Sequence, residues 1–404
     1  FMNIFLWLFV FLFALSCVEF VFPNYKALNR QIYHLAWGIS LFVFAIKYYY
    51  GPDIIFYISL YESNASSLNL VRNAFSEAAF GEWGFYYFCA LMKFFGASFW
   101  TMTAVITVLY FGAVFALFKK VERYRTFALF LLVIMDYNLL AYEYRQCLAV
   151  ALFIYAIVCL IDKKYTLGII LLLLSATMHK SALFMVVFVV LAFVLRKSLP
   201  LSMKTYWLLL VCLIFFTFIP LADVLIFILK YLPINTSSLT SIVHHMEVNV
   251  QFQSVFFVYF MVLVCLSFFK QIQMNERWKT IALISMFGLA FIAFFYQNWF
   301  LLNRLRSYFL PFIITYCIYA FPQASPNTRI LYQLLVVSLM VFGLFTMRTY
   351  YVGLQKPENI SNETSTVFGL LHKSKAQIRG ENLEKAACFW KHYDKYRSSD
   401  KKKN

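Results

Sequence analysis

The chain has 404 residues, of which 63% are hydrophobic, 21% aromatic and only 13% charged. Soluble domains carry about 25% charged residues, so this composition excludes an ordinary soluble domain and indicates a polytopic membrane protein. The apolar runs are continuous and lack the alternation of membrane strands, which favours helices. The net charge of +17 does not indicate a nucleic-acid partner, because membrane proteins carry Lys and Arg on their cytoplasmic loops.

A spanning helix needs about 20 mainly apolar residues. Twelve segments approach that requirement, near 2–22, 33–49, 97–118, 125–141, 145–161, 165–178, 181–196, 206–220, 252–270, 279–297, 306–321 and 329–347. We therefore predict an all-α, polytopic membrane protein whose membrane domain covers residues 1–350. The first run has no preceding basic region and no small-residue cleavage site, so we expect a retained helix, not a signal peptide.

The connections between these segments differ in charge, which predicts their orientation. Six alternate connections hold 15 Lys and Arg, whereas the opposite set holds 7 across many more residues. By the positive-inside rule the first set is cytoplasmic, so the long segments 50–96 and 220–251 lie outside. Residues 50–96 contain two helical patterns, one from Ile54–Leu60 onwards and one over Phe85–Phe95. The second is an aromatic run too short to span, and we expect it to lie at the membrane interface or to dip into it.

Residues 351–404 form a basic tail that conflicts with this orientation. Twelve spans place the tail outside, yet residues 348–404 hold 12 Lys and Arg against 6 acidic residues. Either one span is miscounted or the tail lies along a membrane surface. The aromatic and basic stretch Lys373–Lys395 predicts an interfacial helix, and we expect disorder from Arg397 onwards.

Charged residues are nearly absent from the centres of the predicted spans, where each costs roughly 2.5–3.5 kcal/mol. Those at the outer ends share one depth although they come from distant stretches: Lys47, Asp53, Glu82, Glu143, Arg145, His179, Lys180, Arg304 and Arg306. Each also has a structural interpretation. Arg145 can anchor its helix at the interface or pair with Glu143, and His179 can be an ordinary interfacial histidine. Lys47, next to three tyrosines, is typical of a snorkelling lysine.

The functional interpretation is a cluster of Arg, His and carboxylate at the outer surface. Arginine offers a planar fork of donors to phosphate oxygens, and histidine can accept a proton from a hydroxyl group. These residue types suit group transfer from a lipid-linked phosphate, although composition alone leaves a transporter site open. The scattered cysteines lack a C-x-x-C pair, and His244 with Glu247 is a poor metal site, so we predict no metal.

Five short motifs lie at these outer ends: Gly51-Pro-Asp53-x-x-x-Tyr57-x-x-x-Tyr61, Glu82-Trp-Gly84-Phe85, Arg145-Gln-x-x-Ala149, His179-Lys-Ser181-Ala182 and Arg304-x-x-x-Tyr308-Phe309. Their order and their places in the topology resemble those of the EpsG-type, Wzy-like family of bacterial exopolysaccharide and O-antigen polymerases. The resemblance covers about residues 2–347. The sequence departs from the family pattern at Pro52, at Trp83 and in the basic tail.

The resemblance implies a multi-span, GT-C-like glycosyltransferase of the bacterial cytoplasmic membrane, with its active site facing outward. Such an enzyme joins oligosaccharide repeat units carried on polyprenyl diphosphate, without a metal or another cofactor. Its partners would be the lipid-linked donor and acceptor, membrane lipids and, as a further candidate, a chain-length regulator.

Carried over by position, the resemblance assigns catalytic roles to Arg145, His179 and Glu82. His179 is the candidate base and Glu82 the alternative, while Arg145 and Arg304 would hold the donor diphosphate. The other implied substrate-binding residues are Asp53, Tyr57, Tyr61, Arg306 and Tyr308, of which the first three share one helix face. Two other functions stay open: a transporter or flippase of lipid-linked oligosaccharide and, ranked lower, a membrane O-acyltransferase.

Overall fold

The structure is a computed structural model that describes residues 4–48, 53–64, 66–74, 82–198, 276–294, 299–320 and 372–400. Every regular element within these ranges is an α-helix, which confirms the prediction of a helical protein. Three of the described helices are long and apolar enough to cross a membrane, namely Ile4–Val21, Phe99–Phe118 and Tyr144–Ile161.

The helices in chain order are α1 (Ile4–Val21), α2 (Lys26–Ala45), α3 (Ile54–Ser63), α4 (Ser67–Ala74), α5 (Trp83–Phe94), α6 (Phe99–Phe118), α7 (Arg125–Met135), α8 (Tyr137–Ala141), α9 (Tyr144–Ile161), α10 (Tyr165–Met178) and α11 (Ser181–Ser198). Further along the chain follow α12 (Glu276–Phe294), α13 (Trp299–Ala320) and α14 (Lys375–Asp400). Nine of the twelve predicted spans overlap at least one of these helices. The predicted spans 206–220, 252–270 and 329–347, and the outer segment 220–251, lie outside the described residues.

Helix α9 lies at the centre of the bundle, where it packs against α6 and α10. It is apolar on all sides, as expected of a helix surrounded by others. Small residues allow α10 to approach it closely: Ala149 is fully buried, and Ser175 of α10 donates a 2.7 Å hydrogen bond to the Ala149 carbonyl. At Gly168 of α10 a Cβ atom would overlap the Leu160 side chain. The contact of α9 with α10 therefore depends on small side chains.

Three of the connections predicted to be cytoplasmic meet at one end of the bundle. Lys120, after α6, forms an ion pair of 2.5 Å with Asp162, after α9. Arg277, at the start of α12, lies 3.8 Å from the same carboxylate. At the start of α7, the buried Glu19 accepts the backbone N–H groups of Thr126 and Phe127 at 3.0 and 3.1 Å. These contacts satisfy donors that a helix N-terminus leaves unpaired.

The predicted span 125–141 is interrupted at Asp136, between α7 and α8. The carboxylate is buried and accepts hydrogen bonds from Ser307 at 2.6 Å and from Tyr110 at 3.3 Å. Arg306, which donates to the Met135 carbonyl at 2.9 Å, offsets the charge of Asp136. A buried carboxylate requires such partners, and α6 and α13 supply them at this break.

Two helices begin seven residues earlier than predicted. Helix α2 begins at Lys26 instead of residue 33, since its first turns carry exposed polar residues that a search for apolar runs leaves out. Helix α13 begins at Trp299, so that Arg304 and Arg306 lie within its first two turns instead of in the preceding connection. Leu302 and Leu305 are already buried there, which explains the earlier start.

The segment 50–96, predicted to lie outside, contains the two predicted short helices, as α3 and α5, and a third, α4, that its sparse apolar residues did not predict. The tail also contains its predicted helix. This helix, α14, continues to Asp400, so the expectation of disorder from Arg397 was wrong as far as residue 400. It packs against α3.

We expect Asp136→Ala to destabilise the protein by about 3–5 kcal/mol, because it leaves Arg306 buried without its balancing charge. Ser307→Ala removes one hydrogen-bond partner of Asp136 and should cost only about 1 kcal/mol. Thermal unfolding of the purified protein in detergent measures both variants. An unfolding temperature of Asp136→Ala equal to or above that of Ser307→Ala would contradict this role of Asp136 at the helix break.

Candidate functional site

Arg145 lies in the first turn of α9 and pairs with Glu82 from the segment 50–96. Its Nη1 donates to Oε2 of Glu82 at 2.6 Å, and its Nε donates to the Tyr57 hydroxyl at 3.4 Å. The guanidinium carbon lies 5.3 Å from the ring centroid of Phe56 and 5.5 Å from that of Tyr57. The side chain stays 26% exposed, and Nη2 has no hydrogen-bond partner within the described ranges. Arg145 is thus an oriented cation that retains donors for an anion.

The carboxylate of Glu82, just before α5, joins segments that are distant in sequence. Oε2 accepts from Arg145 of α9, and Oε1 accepts the backbone N–H of Lys180 at 3.4 Å, just before α11. A negative charge near a helix N-terminus is favourable. Gly84 allows this approach, because a Cβ atom there would overlap the Thr177 side chain near the end of α10. The close contact explains the glycine in Glu82-Trp-Gly84-Phe85.

His179 lies between α10 and α11, and its ring caps the start of α11. Nδ1 accepts the backbone N–H of Ser181 at 3.2 Å and lies 2.8 Å from the Ser181 Oγ. Because a backbone N–H can only donate, Nδ1 carries no proton, and the proton of the neutral ring is on Nε2. Burial, aided by the positive charges of Arg145 and Arg304, lowers the pKa of His179 to about 3. His179 is therefore a neutral hydrogen-bond donor at neutral pH, and its 3.6 Å contact with Glu82 is not an ion pair.

Two contacts attach α13 to this cluster. The Tyr308 hydroxyl, which is fully buried, lies 3.0 Å from the Ser181 Oγ, so that Tyr308, Ser181 and His179 form a hydrogen-bonded chain. Gln146 of α9 donates from Nε2 to the backbone carbonyl of Arg304. The arginine and glutamine of Arg145-Gln-x-x-Ala149 therefore have different tasks, since Gln146 holds the helix that carries Arg304.

Asp53 and Glu143 add two carboxyl groups to the same electrostatic environment. Burial raises the pKa of Asp53, while the charges of Arg304 and Arg145 oppose this change. Burial also raises the pKa of Glu143 to about 7, against the effect of Arg304 and in the same direction as the effect of Asp53. Arg304 thus acts on both carboxyl groups and on His179. Glu143 changes its protonation state near neutral pH.

The structure thereby brings together Asp53, Tyr57, Glu82, Arg145, His179 and Arg304, with Tyr308 behind His179. Two predicted site residues lie elsewhere. Tyr61 is buried and donates to the Ala97 carbonyl at 2.8 Å, and Arg306 is buried beside Asp136. Lys47 also differs from its prediction, since it is 4% exposed and donates to the Leu140 carbonyl instead of snorkelling.

Three residues of this cluster were not among the predicted site residues. Ser181 was visible in His179-Lys-Ser181-Ala182, and Gln146 in the arginine motif, but nothing in the sequence shows which atoms they contact. Glu143 was expected to be a structural neighbour of Arg145, yet the ion pair that the structure shows for Arg145 is with Glu82. Among the described residues, no group of three His, Cys, Asp or Glu side chains could hold a metal ion.

A model of the EpsG family matches residues 31–357, which include every residue of this cluster. The chain belongs to the EpsG family. Membership and the apolar helices indicate a membrane protein of polysaccharide biosynthesis, and the EpsG family is associated with glycosyltransferase-like polymerase activity. Neither a curated protein nor a solved structure matches the chain. The EpsG match ends before α14, so the tail helix lies outside the family region.

Proposed function

We propose that the chain is a polymerase that joins oligosaccharide repeat units carried on polyprenyl diphosphate, on the outer face of the bacterial cytoplasmic membrane. The observation that carries the proposal is the oriented Arg145, held by Glu82 and Tyr57 next to the neutral His179. This arrangement combines a cation for phosphate, a neutral donor and nearby carboxylates. It lies at the ends of helices opposite to the connections rich in Lys and Arg, which supports an outward-facing site.

Arg145 and Arg304 would bind the diphosphate of the donor lipid. One amino group of Arg145 is fixed by Glu82, and the ring contacts with Phe56 and Tyr57 limit rotation of the guanidinium. A cation that is already oriented stabilises developing charge without reorganising during the reaction. Its role would be strongest as the diphosphate leaves, because negative charge then builds up on its oxygens.

The reaction forms a glycosidic bond and breaks the bond from sugar to diphosphate. A hydroxyl oxygen of the acceptor repeat unit attacks the anomeric carbon of the donor glycan. The bond between that carbon and the diphosphate oxygen breaks, and the polyprenyl diphosphate leaves with the electron pair. The hydroxyl proton passes to a base of the protein, which releases it to solvent afterwards.

The hydrogen bonds of His179 favour a donor role over the base role that the family resemblance implied. Nδ1 accepts from Ser181, so the proton is on Nε2, which can donate to a phosphate oxygen or a sugar hydroxyl. The base would then be a carboxylate. Glu143 suits this role because burial raises its pKa to about 7, and efficient general bases have a pKa near the working pH. Glu82 is the alternative base, although it is already bound to Arg145.

The first test is synthesis of a glycan ladder from a synthetic lipid-diphosphate repeat unit by the purified protein. We expect Arg145→Lys to lower the rate by roughly 100-fold or more, because lysine cannot reproduce the fork that binds Glu82 and phosphate together. Arg30→Lys, an exposed change near the start of α2, is the matched control and should polymerise at the wild-type rate. If the wild type binds the cognate repeat unit but makes no ladder, the polymerase proposal is wrong and a transporter is favoured.

A second test distinguishes between two roles of His179, a hydrogen-bond donor and the general base. The amide of His179→Gln can place an N–H near the position of Nε2 but cannot act as a base, so we expect it to retain much more activity than His179→Ala. Initial rates of repeat-unit consumption measure the difference. Equal and nearly complete loss of activity in both variants, with normal folding, would restore His179 as the base.

A third test uses pH. Glu143 accepts a proton only when ionised, and its pKa of about 7 means that the ionised fraction falls as pH falls through 7. The wild-type kcat/KM should therefore drop about tenfold per pH unit below that point. Glu143→Gln should be slow and should lack this acidic limb, whereas His179 adds no limb near pH 6.5 because its pKa is about 3. An unchanged acidic limb in Glu143→Gln would move the base to another carboxylate, and Glu82→Gln is then the variant to measure.

A further inference from the structure

Helix α14 lies outside the family match, yet it makes specific contacts with α3, the helix that follows Asp53 and carries Tyr57. Asn382 is fully buried, and its Nδ2 donates to Oε1 of Glu62 at 3.0 Å. Arg379 donates to the Glu62 backbone carbonyl at 3.2 Å. Glu62 is itself 6% exposed, so its carboxylate is satisfied by a partner from the tail. A buried carboxylate without such a partner would destabilise the fold, so the Glu62 carboxylate favours the packing of α14 on α3.

Further contacts extend along the outer segment. Lys375, at the start of α14, donates to the Gly96 carbonyl at 3.0 Å, in the turn between α5 and α6. Lys385, further along, lies 5.7 Å from the ring centroid of Tyr48, which precedes Asp53 in sequence. The residues facing the protein, Ile378, Asn382 and Ala386, are spaced by four and share one helix face. Helix α14 thus contacts residues that precede α3 in the sequence and residues that follow it.

Helix α3 depends on such contacts because it has only 10 residues. Isolated helices shorter than about 12–15 residues are marginal in water, so neighbours must hold α3 in place. At its C-terminal end Lys93 of α5 donates to the carbonyls of Tyr61, at 2.6 Å, and Asn64. On another side of α3, α14 holds Glu62. Another important neighbour of α3 is Arg145, which contacts the Tyr57 hydroxyl and ring.

We propose that α14 is a positioning element of the polymerase site: through Asn382 and Glu62 it fixes α3, so that Tyr57 orients Arg145. This inference rests on the proposed function. Glu62 and Asn382 act through α3 and do not touch the substrate. This inference also places the basic tail on the outer side of the membrane, next to the site. The charge of the tail alone predicts the opposite side.

The position of α14 can be tested without any activity. In right-side-out vesicles, a membrane-impermeant maleimide should label Ala376→Cys, an exposed position in the first turn of α14. Lys164→Cys, in a connection predicted to be cytoplasmic, is the matched control and should react only in inverted vesicles. Labelling of Ala376→Cys only in inverted vesicles would overturn the proposal, because α14 and α3 would then be on opposite sides.

The positioning role is tested with substitutions in the full-length protein. We expect Asn382→Leu, and deletion of residues 372–404, to lower kcat/KM for the repeat unit about tenfold or more. Because Asn382→Leu also leaves the buried Glu62 without this partner and lowers the melting temperature, all rates are compared well below the melting temperature of each variant. Glu62→Gln keeps an oxygen that can accept from Asn382, so it should remain close to wild type, whereas Glu62→Leu should behave like Asn382→Leu. Glu384→Leu, an exposed change on the same helix, is the matched control.

The outcomes separate this inference from the proposed function. Wild-type rates in Asn382→Leu and in the deletion variant, with Arg145→Lys inactive, would refute the positioning role and leave the polymerase proposal intact. If the wild type makes no ladder, the proposed function fails. Affinity for the lipid diphosphate then takes the place of the rate: weaker binding by Asn382→Leu than by Glu384→Leu supports positioning of Arg145 by α14, and equal binding refutes it.

Discussion

The Glu82 carboxylate is the group on which the geometry of the site depends. It is 7% exposed and connects the first turn of α9, through Arg145, with the start of α11, through the Lys180 N–H. A buried carboxylate needs several partners, and a guanidinium at an apolar helix end needs a counter-charge. Each group therefore stabilises the other in its partly buried position. Because this pair fixes one amino group of Arg145 while the side chain stays 26% exposed, one contact both holds the helices together and orients the cation.

Charged side chains avoid the membrane centre regardless of tertiary structure, so the sequence predicts a shared depth for charged residues from distant stretches. It was not sufficient to predict which of them touch. Arg145 has a carboxylate two residues away, in Glu143, and local reasoning favours that neighbour, but the ion pair in the structure is with Glu82. The same limit applies to Asp136. The helix break at this residue could be located only once Ser307 and Tyr110, from other helices, were known to be hydrogen-bond partners of its carboxylate.

His179 shows why the motif alone leaves the chemistry open. A histidine at a helix end can be a base, a donor or a cap, and its residue type does not distinguish these roles. The backbone N–H of Ser181, two residues later, decides between them, because it occupies Nδ1 and leaves the proton on Nε2. Thus a helix cap determines the tautomer, and the tautomer determines what the ring can offer a substrate. The role of His179 as a helix cap and its proposed role as a donor therefore depend on the same hydrogen bond.

The basic tail conflicts with the predicted orientation because the positive-inside rule counts cations without asking what they contact. In α14 several of those cations have partners in the protein: Lys375 and Arg379 donate to backbone carbonyls, and Lys385 lies near the Tyr48 ring. A cation with such partners contributes less to attraction by an anionic membrane surface than a free one. The rule also gives little weight to charges far from a span, and α14 begins 28 residues after the end of the last predicted span, 329–347. Packing of α14 on α3 can therefore outweigh its charge in deciding where the tail lies.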